Sequence, residues 1–222
     1  MTRESDLYRP VATWLRESKN CFKTGINTGL KMARIDVVGV REAGGDLSSS
    51  PEVIAVEVKR AATPYGNALG QSVGYGVYAD RCYFADLKTR APFMESEIQL
   101  ANHLGVGLIA ITGPARQRQV TEILAAPSTP AIEHLRLEVV EKLGLSTCAI
   151  CRSMFSRGDS EKWARNIERK TSARARMGEA IENGKGIAYW LWEQHNPVVN
   201  AQNRRRRYVC PDCLWGLFSE LV

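Results

Sequence analysis

The chain has 222 residues, 44% hydrophobic and 24% charged, with 18 Gly and 9 Pro, the proportions of a folded globular protein rather than a disordered one. No window approaches the ~18 uncharged apolar residues that cross a bilayer. Residues 1–20 carry charge throughout and lack an apolar stretch, so secreted and membrane classes are set aside and a cytoplasmic setting is expected. Net charge is +6; residues 1–140 hold 16 Lys+Arg against 15 Asp+Glu, whereas residues 141–222 hold 14 against 9. The excess in the C-terminal third is either a solvated surface or a face for a polyanion.

Leu7, Val11, Trp14 and Leu15 recur with the spacing of an amphipathic helix, and Pro10 fits its first turn. Arg34–Val40 is a short β-branched run. A Gly/Ser-rich connection over Ala43–Pro51 leads to a second run, Glu52–Lys59, and the pair reads as a hairpin. A helix around Ala68–Val77, a strand at Arg81–Asp86, a helix near Glu95–Leu104 and an apolar strand at Val106–Ile111 follow. This order predicts a mixed α/β core, a mixed sheet flanked by helices. Gln117–Pro130 reads as a polar connector with two prolines. Ile132, Leu135, Val139, Val140 and Leu143 mark a further helix, with Gly144 as its C-cap. The expected division is a core over 1–115, a connector and helix over 116–147, and a basic cysteine-bearing helical module over 148–222.

On the strand Glu52–Lys59 side chains alternate between faces, so Glu57 and Lys59 share one while Ile54, Val56 and Val58 share the other. Charged groups on an apolar strand are costly without partners, and Asp36 interrupts the preceding strand in the same way. If the two strands pair, Asp36 comes to lie beside Glu57. Two adjacent carboxylates call for a cation between them, and hard oxygen ligands favour Mg²⁺ or Mn²⁺. Such an ion polarises a phosphodiester, and Lys59 then orients water or meets the charge developing on the phosphorane. The plain alternative is a Glu57/Lys59 pair facing water on an edge strand, with Asp36 in a turn.

Ile35-Asp36, a loop, then Glu57-Val58-Lys59 resembles the PD-(D/E)xK nuclease superfamily, which includes many restriction enzymes and Holliday-junction resolvases. Ile35 stands where the family name has Pro. Glu4–Leu15 is similar to the first helix of the group, whose acidic residue sometimes joins the metal site. Gln71 sits where many members carry a Gln on the following helix. Gln71–Asp80, Arg81–Ala85 and Leu104–Ile111 are similar to a bacterial subgroup of predicted phosphodiesterases, and the likeness spans residues 4–112, half of the chain. The resemblance implies a restriction-endonuclease-like core. It assigns Asp36 and Glu57 as metal ligands, Lys59 as the catalytic cation, Gln71 as a supporting residue and Glu4 as a further candidate. A core that keeps the fold without catalysis is the other reading.

Cys148-Ala-Ile-Cys151 and Cys210-Pro-Asp-Cys213 are two Cys-x-x-Cys pairs, suited to tetrahedral zinc. The 58 residues between them exceed the ~15–20 of a compact zinc ribbon, so a zinc site here encloses an inserted segment. Four thiolates leave no open position for water, which makes the expected zinc structural. The last pair could lie at a helix start, as in a treble-clef finger. A disulfide or redox pair is the alternative, although a thioredoxin-like motif would explain one pair and lacks its βαβ context. The enclosed segment carries Lys162, Arg165, Arg169, Lys170, Arg174 and Arg176, and Arg204, Arg205, Arg206 and Arg207 run directly before the second pair. Such a cluster suits phosphate contacts. Gly70-Gln-Ser-Val-Gly74 matches a nucleophile-elbow pattern but lacks a strand before it.

These readings predict a metal-dependent nuclease acting on DNA, with Mg²⁺ or Mn²⁺ at the carboxylates and structural Zn²⁺ at the cysteines. A homodimer is compatible with duplex cleavage. The competing expectation is a non-catalytic, zinc-dependent nucleic-acid-binding protein built on a nuclease-like scaffold.

Overall fold

The computed structural model describes residues 3–43, 50–60, 65–88, 93–148, 151, 153–156, 210 and 212–213. Chain contacts divide the protein into two compact units, residues 1–43 with 51–143, and residues 44–50 with 144–222.

The first unit is a six-stranded mixed sheet. A 3-10 turn, Glu4–Leu7, runs into α1, Tyr8–Ser18; the strands β1, Lys23–Gly29, β2, Arg34–Ala43, and β3, Ser50–Lys59, follow. Then come α2, Tyr65–Gly74, β4, Arg81–Leu87, α3, Glu95–His103, β5, Gly107–Thr112, β6, Gln119–Leu124, and α4, Glu133–Lys142. The strands lie side by side in chain order. β1 is antiparallel to β2, β3, β4 and β5 are mutually parallel, and β6 returns antiparallel to β5. Arg41 meets Glu52 while Asp36 meets Val58, so β2 and β3 also run in opposite senses, as a hairpin requires. The mixed α/β class matches the sequence reading, and the elements it named occur in the expected order, with β1 and β6 in addition.

Among the described residues, apolar clusters cover both faces of the sheet. On one face Leu7, Val11, Trp14 and Leu15 pack against Val37, Val56, Val58, Ala85 and Ile109. On the other, Ala68 and Leu69 of α2 and Ala101 of α3 pack against Phe84, Leu108 and Ala110. α2 and α3 connect the parallel strands β3, β4 and β5 and lie on the same side of the sheet, as successive crossovers of one hand do. Gly107 is needed where it stands. A Cβ there would lie 2.4 Å from the Tyr83 ring and 2.6 Å from the Ala126 nitrogen.

Two strands of this unit were absent from the sequence reading. β1, Lys-Thr-Gly-Ile-Asn-Thr-Gly, is mostly exposed and carries no apolar alternation, because it forms one edge of the sheet. β6 occupies part of the expected connector; only alternate residues are partly buried, and Val120 meets the core. α4 ends as expected, with Gly144 in the left-handed region at φ +73°. No described helix is long and apolar enough to cross a membrane.

Glu52 is the buried clamp of this unit. It is 5% exposed and accepts hydrogen bonds from Arg41 of β2, from Arg81 of β4 at 2.8 Å and from Ser128 at 3.4 Å. Burial alone would raise its carboxyl pKa, but the Arg41 and Arg81 guanidinium groups outweigh burial and hold it below the ordinary value. A carboxylate depressed in the folded state stabilises fully above its unfolded pKa, roughly 4.3, and loses that contribution as pH falls through the lower folded value. Glu52→Gln should therefore lower stability at neutral pH by about 2 kcal/mol. That is below the ~3–5 kcal/mol of a fully buried pair, since the Arg41 and Arg81 side chains remain 27% and 26% exposed. Urea midpoints measured from neutral to acidic pH check this; the two proteins should converge in acid.

The second unit contains a small antiparallel pair, β7, Leu145–Thr147, and β8, Met154–Ser156, with Thr147 opposite Met154.

Candidate functional site

In β2, Val37 points into the α1 side of the sheet, so alternation turns Asp36 to the opposite face. Glu57 projects there too, since its neighbours Val56 and Val58 belong to the α1 side. Both acids are buried, Asp36 to 7% and Glu57 to 2% exposure. Neither sits on an edge or in a turn, and the water-facing alternative does not describe them.

Each carboxylate is held at both oxygens, as buried charge requires. Asp36 Oδ2 accepts the Val58 backbone N–H at 3.0 Å and its Oδ1 accepts the Tyr8 hydroxyl at 3.1 Å. Glu57 Oε2 accepts the Tyr75 hydroxyl at 2.5 Å, and Lys59 Nζ stands 2.5 Å from Glu57 Oε1. Glu4 leans over the same place, 3.8 Å from Lys59 Nζ and 3.4 Å from the Tyr8 hydroxyl. Glu57 and Glu4 therefore share one ammonium, and the Tyr8 hydroxyl links Glu4 to Asp36.

Burial pushes the Glu57 carboxyl up and the Asp36 charge adds to this, with Lys59 and Tyr75 acting against it. For Lys59, burial works against the ammonium, yet Glu57, then Glu4 and Asp36, more than compensate and raise its pKa. Lys59 is thus a fixed cation. Burial, reinforced by Asp36 for Tyr8 and by Glu57 for Tyr75, drives both phenols above their ordinary range, so both act as donors at neutral pH.

Tyr8 and Tyr75 went unnoticed in the sequence, although a spacing marks them. Tyr8 follows Glu4 by one helical turn, and Tyr75 follows Gln71 by one. Gln71 itself lies on the exposed side of α2, and among the described residues no hydrogen bond joins it to Asp36, Glu57 or Lys59. Nor do Glu4, Asp36 and Glu57 bring one oxygen each within the mutual 4.8 Å that marks a ready-made ion site among the described residues. Lys59, lodged against Glu57 and facing Glu4, fills the role of internal counter-ion there.

The four cysteines do meet that criterion. One sulfur from each of Cys148, Cys151, Cys210 and Cys213 lies within 4.8 Å of the others, close to the ~3.8 Å sulfur spacing that Zn–S bonds of ~2.3 Å impose in a tetrahedron. Cys148 leaves β7, and its N–H donates to the Ser153 carbonyl at 2.8 Å. The Cys210 N–H donates to Cys148 Sγ at 3.3 Å and the Cys213 N–H to Cys210 Sγ at 3.5 Å. All four are free thiols; Cys151 and Cys210 sulfurs stand 3.6 Å apart, well beyond the ~2.05 Å of a disulfide. Burial opposes ionisation of Cys151, but hydrogen bonds from Ser153 and the neighbouring thiols pull it down to about 7. Burial, with the Cys151 and Cys148 sulfurs, pushes Cys210 up to about 11 against hydrogen bonds from Cys213. This donor set fits a soft tetrahedral metal such as zinc. The basic residues Lys162 to Arg176 and the run Arg204, Arg205, Arg206 and Arg207 lie outside the described residues.

No protein-family model matches this chain, and no curated protein matches it.

Proposed function

We propose that the protein is a metal-dependent nuclease that hydrolyses phosphodiester bonds in DNA. Asp36 and Glu57 hold Mg²⁺ or Mn²⁺, and Lys59 is the catalytic cation. The observation that carries this reading is the buried arrangement in which Glu57 contacts Lys59 and Tyr75 while Asp36, Glu4 and Tyr8 close the same network. A bound divalent ion supplies Lewis-acid polarisation of the phosphate. Lys59, its proton held by the surrounding carboxylates, donates hydrogen bonds to the attacking water or the developing phosphorane oxygen rather than acting as a base. Gln71, on the exposed face of α2, is open to a substrate or water. Glu4 is a further candidate ligand. In the second unit, Cys148, Cys151, Cys210 and Cys213 hold a structural zinc, and Arg204–Arg207, which precede Cys210 in the sequence, supply phosphate contacts.

A second reading is a zinc-dependent nucleic-acid-binding protein whose core is a scaffold. It is favoured by one observation: the three carboxylates do not converge on a single ion position. Supercoiled plasmid and single-stranded DNA incubated with the full chain in Mg²⁺ or Mn²⁺ separate the two. Cleavage should appear and fall roughly 10³-fold in both Asp36→Asn and Glu57→Gln, as several kcal/mol of charge stabilisation are lost. Binding of these DNAs with no cleavage in either metal would decide for the scaffold.

A further inference from the structure

We infer that Tyr8 and Tyr75 are positioning residues that fix the orientation of the two metal-binding carboxylates, an inference that rests on the nuclease reading above. A ligating carboxylate on a flexible side chain can rotate, and outer hydrogen bonds restrict it to the orientation an ion needs. The division of labour here is pairwise. Tyr75 serves Glu57 at 2.5 Å, and Tyr8 serves Asp36 at 3.1 Å.

Both rings are anchored independently of the site. Tyr8 is 7% exposed and belongs to the core beneath α1, and Tyr75 is 8% exposed in the 3-10 turn Tyr75–Val77 that follows α2. Its hydroxyl oxygen also lies 3.0 Å from the Arg34 carbonyl, two residues before Asp36, so one phenol spans the ends of β2 and β3. Tyr8 stands between Asp36 and the more distant Glu4. With a single proton it can serve only one carboxylate at a time, and the shorter contact assigns it to Asp36.

Neither hydroxyl is required by the packing of its ring, so Tyr→Phe keeps the ring and removes the hydroxyl's contacts, with Glu57 and the Arg34 carbonyl for Tyr75 and with Asp36 and Glu4 for Tyr8. Tyr83 provides the structural comparison. It is 1% exposed, and its hydroxyl donates to Glu122 at 2.6 Å rather than to Asp36 or Glu57.

The experiment measures Mn²⁺ uptake by the full chain from the free-ion resonance signal, counting the portion lost in Asp36→Asn, together with cleavage against Mn²⁺ concentration and thermal midpoints. Tyr75→Phe and Tyr8→Phe should each weaken Mn²⁺ binding about tenfold, the lower end of outer-partner effects, and excess Mn²⁺ should restore most of the cleavage rate. Tyr83→Phe should lower the thermal midpoint without moving Mn²⁺ affinity. Unchanged Mn²⁺ affinity in both site variants, or a loss no larger than that of Tyr83→Phe, overturns the inference while leaving the nuclease standing. Wild-type protein that takes up no Mn²⁺ at the carboxylates and cuts no DNA overturns the nuclease reading, and the inference falls with it.

Discussion

Lys59→Met should move two properties of the proposed nuclease in opposite directions: cleavage falls roughly 10³-fold while Mn²⁺ binding tightens about tenfold. Lys59 Nζ occupies the approach to Glu57 Oε1 at 2.5 Å and lies 3.8 Å from Glu4. An arriving divalent ion must displace it or share the carboxylate with it. Met keeps the length and packing of the side chain but removes the competing charge. At ~4 Å and an effective dielectric near 20, a unit charge is worth about 4 kcal/mol against another unit charge. A tenfold change in affinity needs only ~1.4 kcal/mol of this. Catalysis fails for a separate reason, because no ammonium then meets the developing phosphorane charge. The variant should also melt earlier in metal-free buffer, since buried Glu57 loses its cation, and Mn²⁺ should restore the midpoint. Mn²⁺ titration beside a cleavage assay, in mildly alkaline buffer, checks the pair of effects. Weaker Mn²⁺ binding in Lys59→Met would mean that Lys59 is a structural ion-pair partner of Glu57 and not a counter-ion in the path of the metal.

The second large effect is expected at the cysteines. Protein purified under reducing conditions should carry one zinc per chain, and Cys210→Ser should carry none. The four sulfurs lie within 4.8 Å of one another, yet the two pairs are 58 residues apart, so closing that loop without a metal is entropically unfavourable. Structural zinc contributes on the order of 10 kcal/mol in isolated fingers. Losing it should expose residues 144–222 to proteolysis while the six-stranded sheet, with its two apolar cores of its own, keeps its thermal transition. Because burial holds the Cys210 and Cys213 thiols above their ordinary range in the metal-free cluster, zinc loading should release protons and weaken in acid. Elemental analysis and limited proteolysis of the two proteins provide the check. Intact protein with no zinc, or a variant whose second unit resists protease equally, would refute it.

What the amino-acid sequence determined by itself is local and periodic. In the run Glu52–Lys59 alternation put Ile54, Val56 and Val58 on one face and Glu57 and Lys59 on the other, and Asp36 interrupted the run Arg34–Val40 in the same way, but whether these strands were central or at an edge stayed open. Leu7, Val11, Trp14 and Leu15 had one helical solution, and Gly144 could end α4 where few other residues could. The Cys-x-x-Cys spacings defined two half-sites.

Everything that depended on which segment lies beside which was decided by tertiary structure. β1 and β6 are edge strands, half exposed, so burial imposed little pattern on their sequences. Glu52 looked like the start of a strand, and only the approach of Arg41 and Arg81 makes it a clamp. Tyr8 and Tyr75 carried no chemical signature, because a tyrosine acquires a role from the acceptor its hydroxyl meets, and those acceptors lie 28 and 18 residues away. The convergence of the two cysteine pairs is likewise a long-range contact. Alternation and spacing constrain neighbours in the chain, but hydrogen-bond partners across a sheet are fixed only when the strands take their order and register.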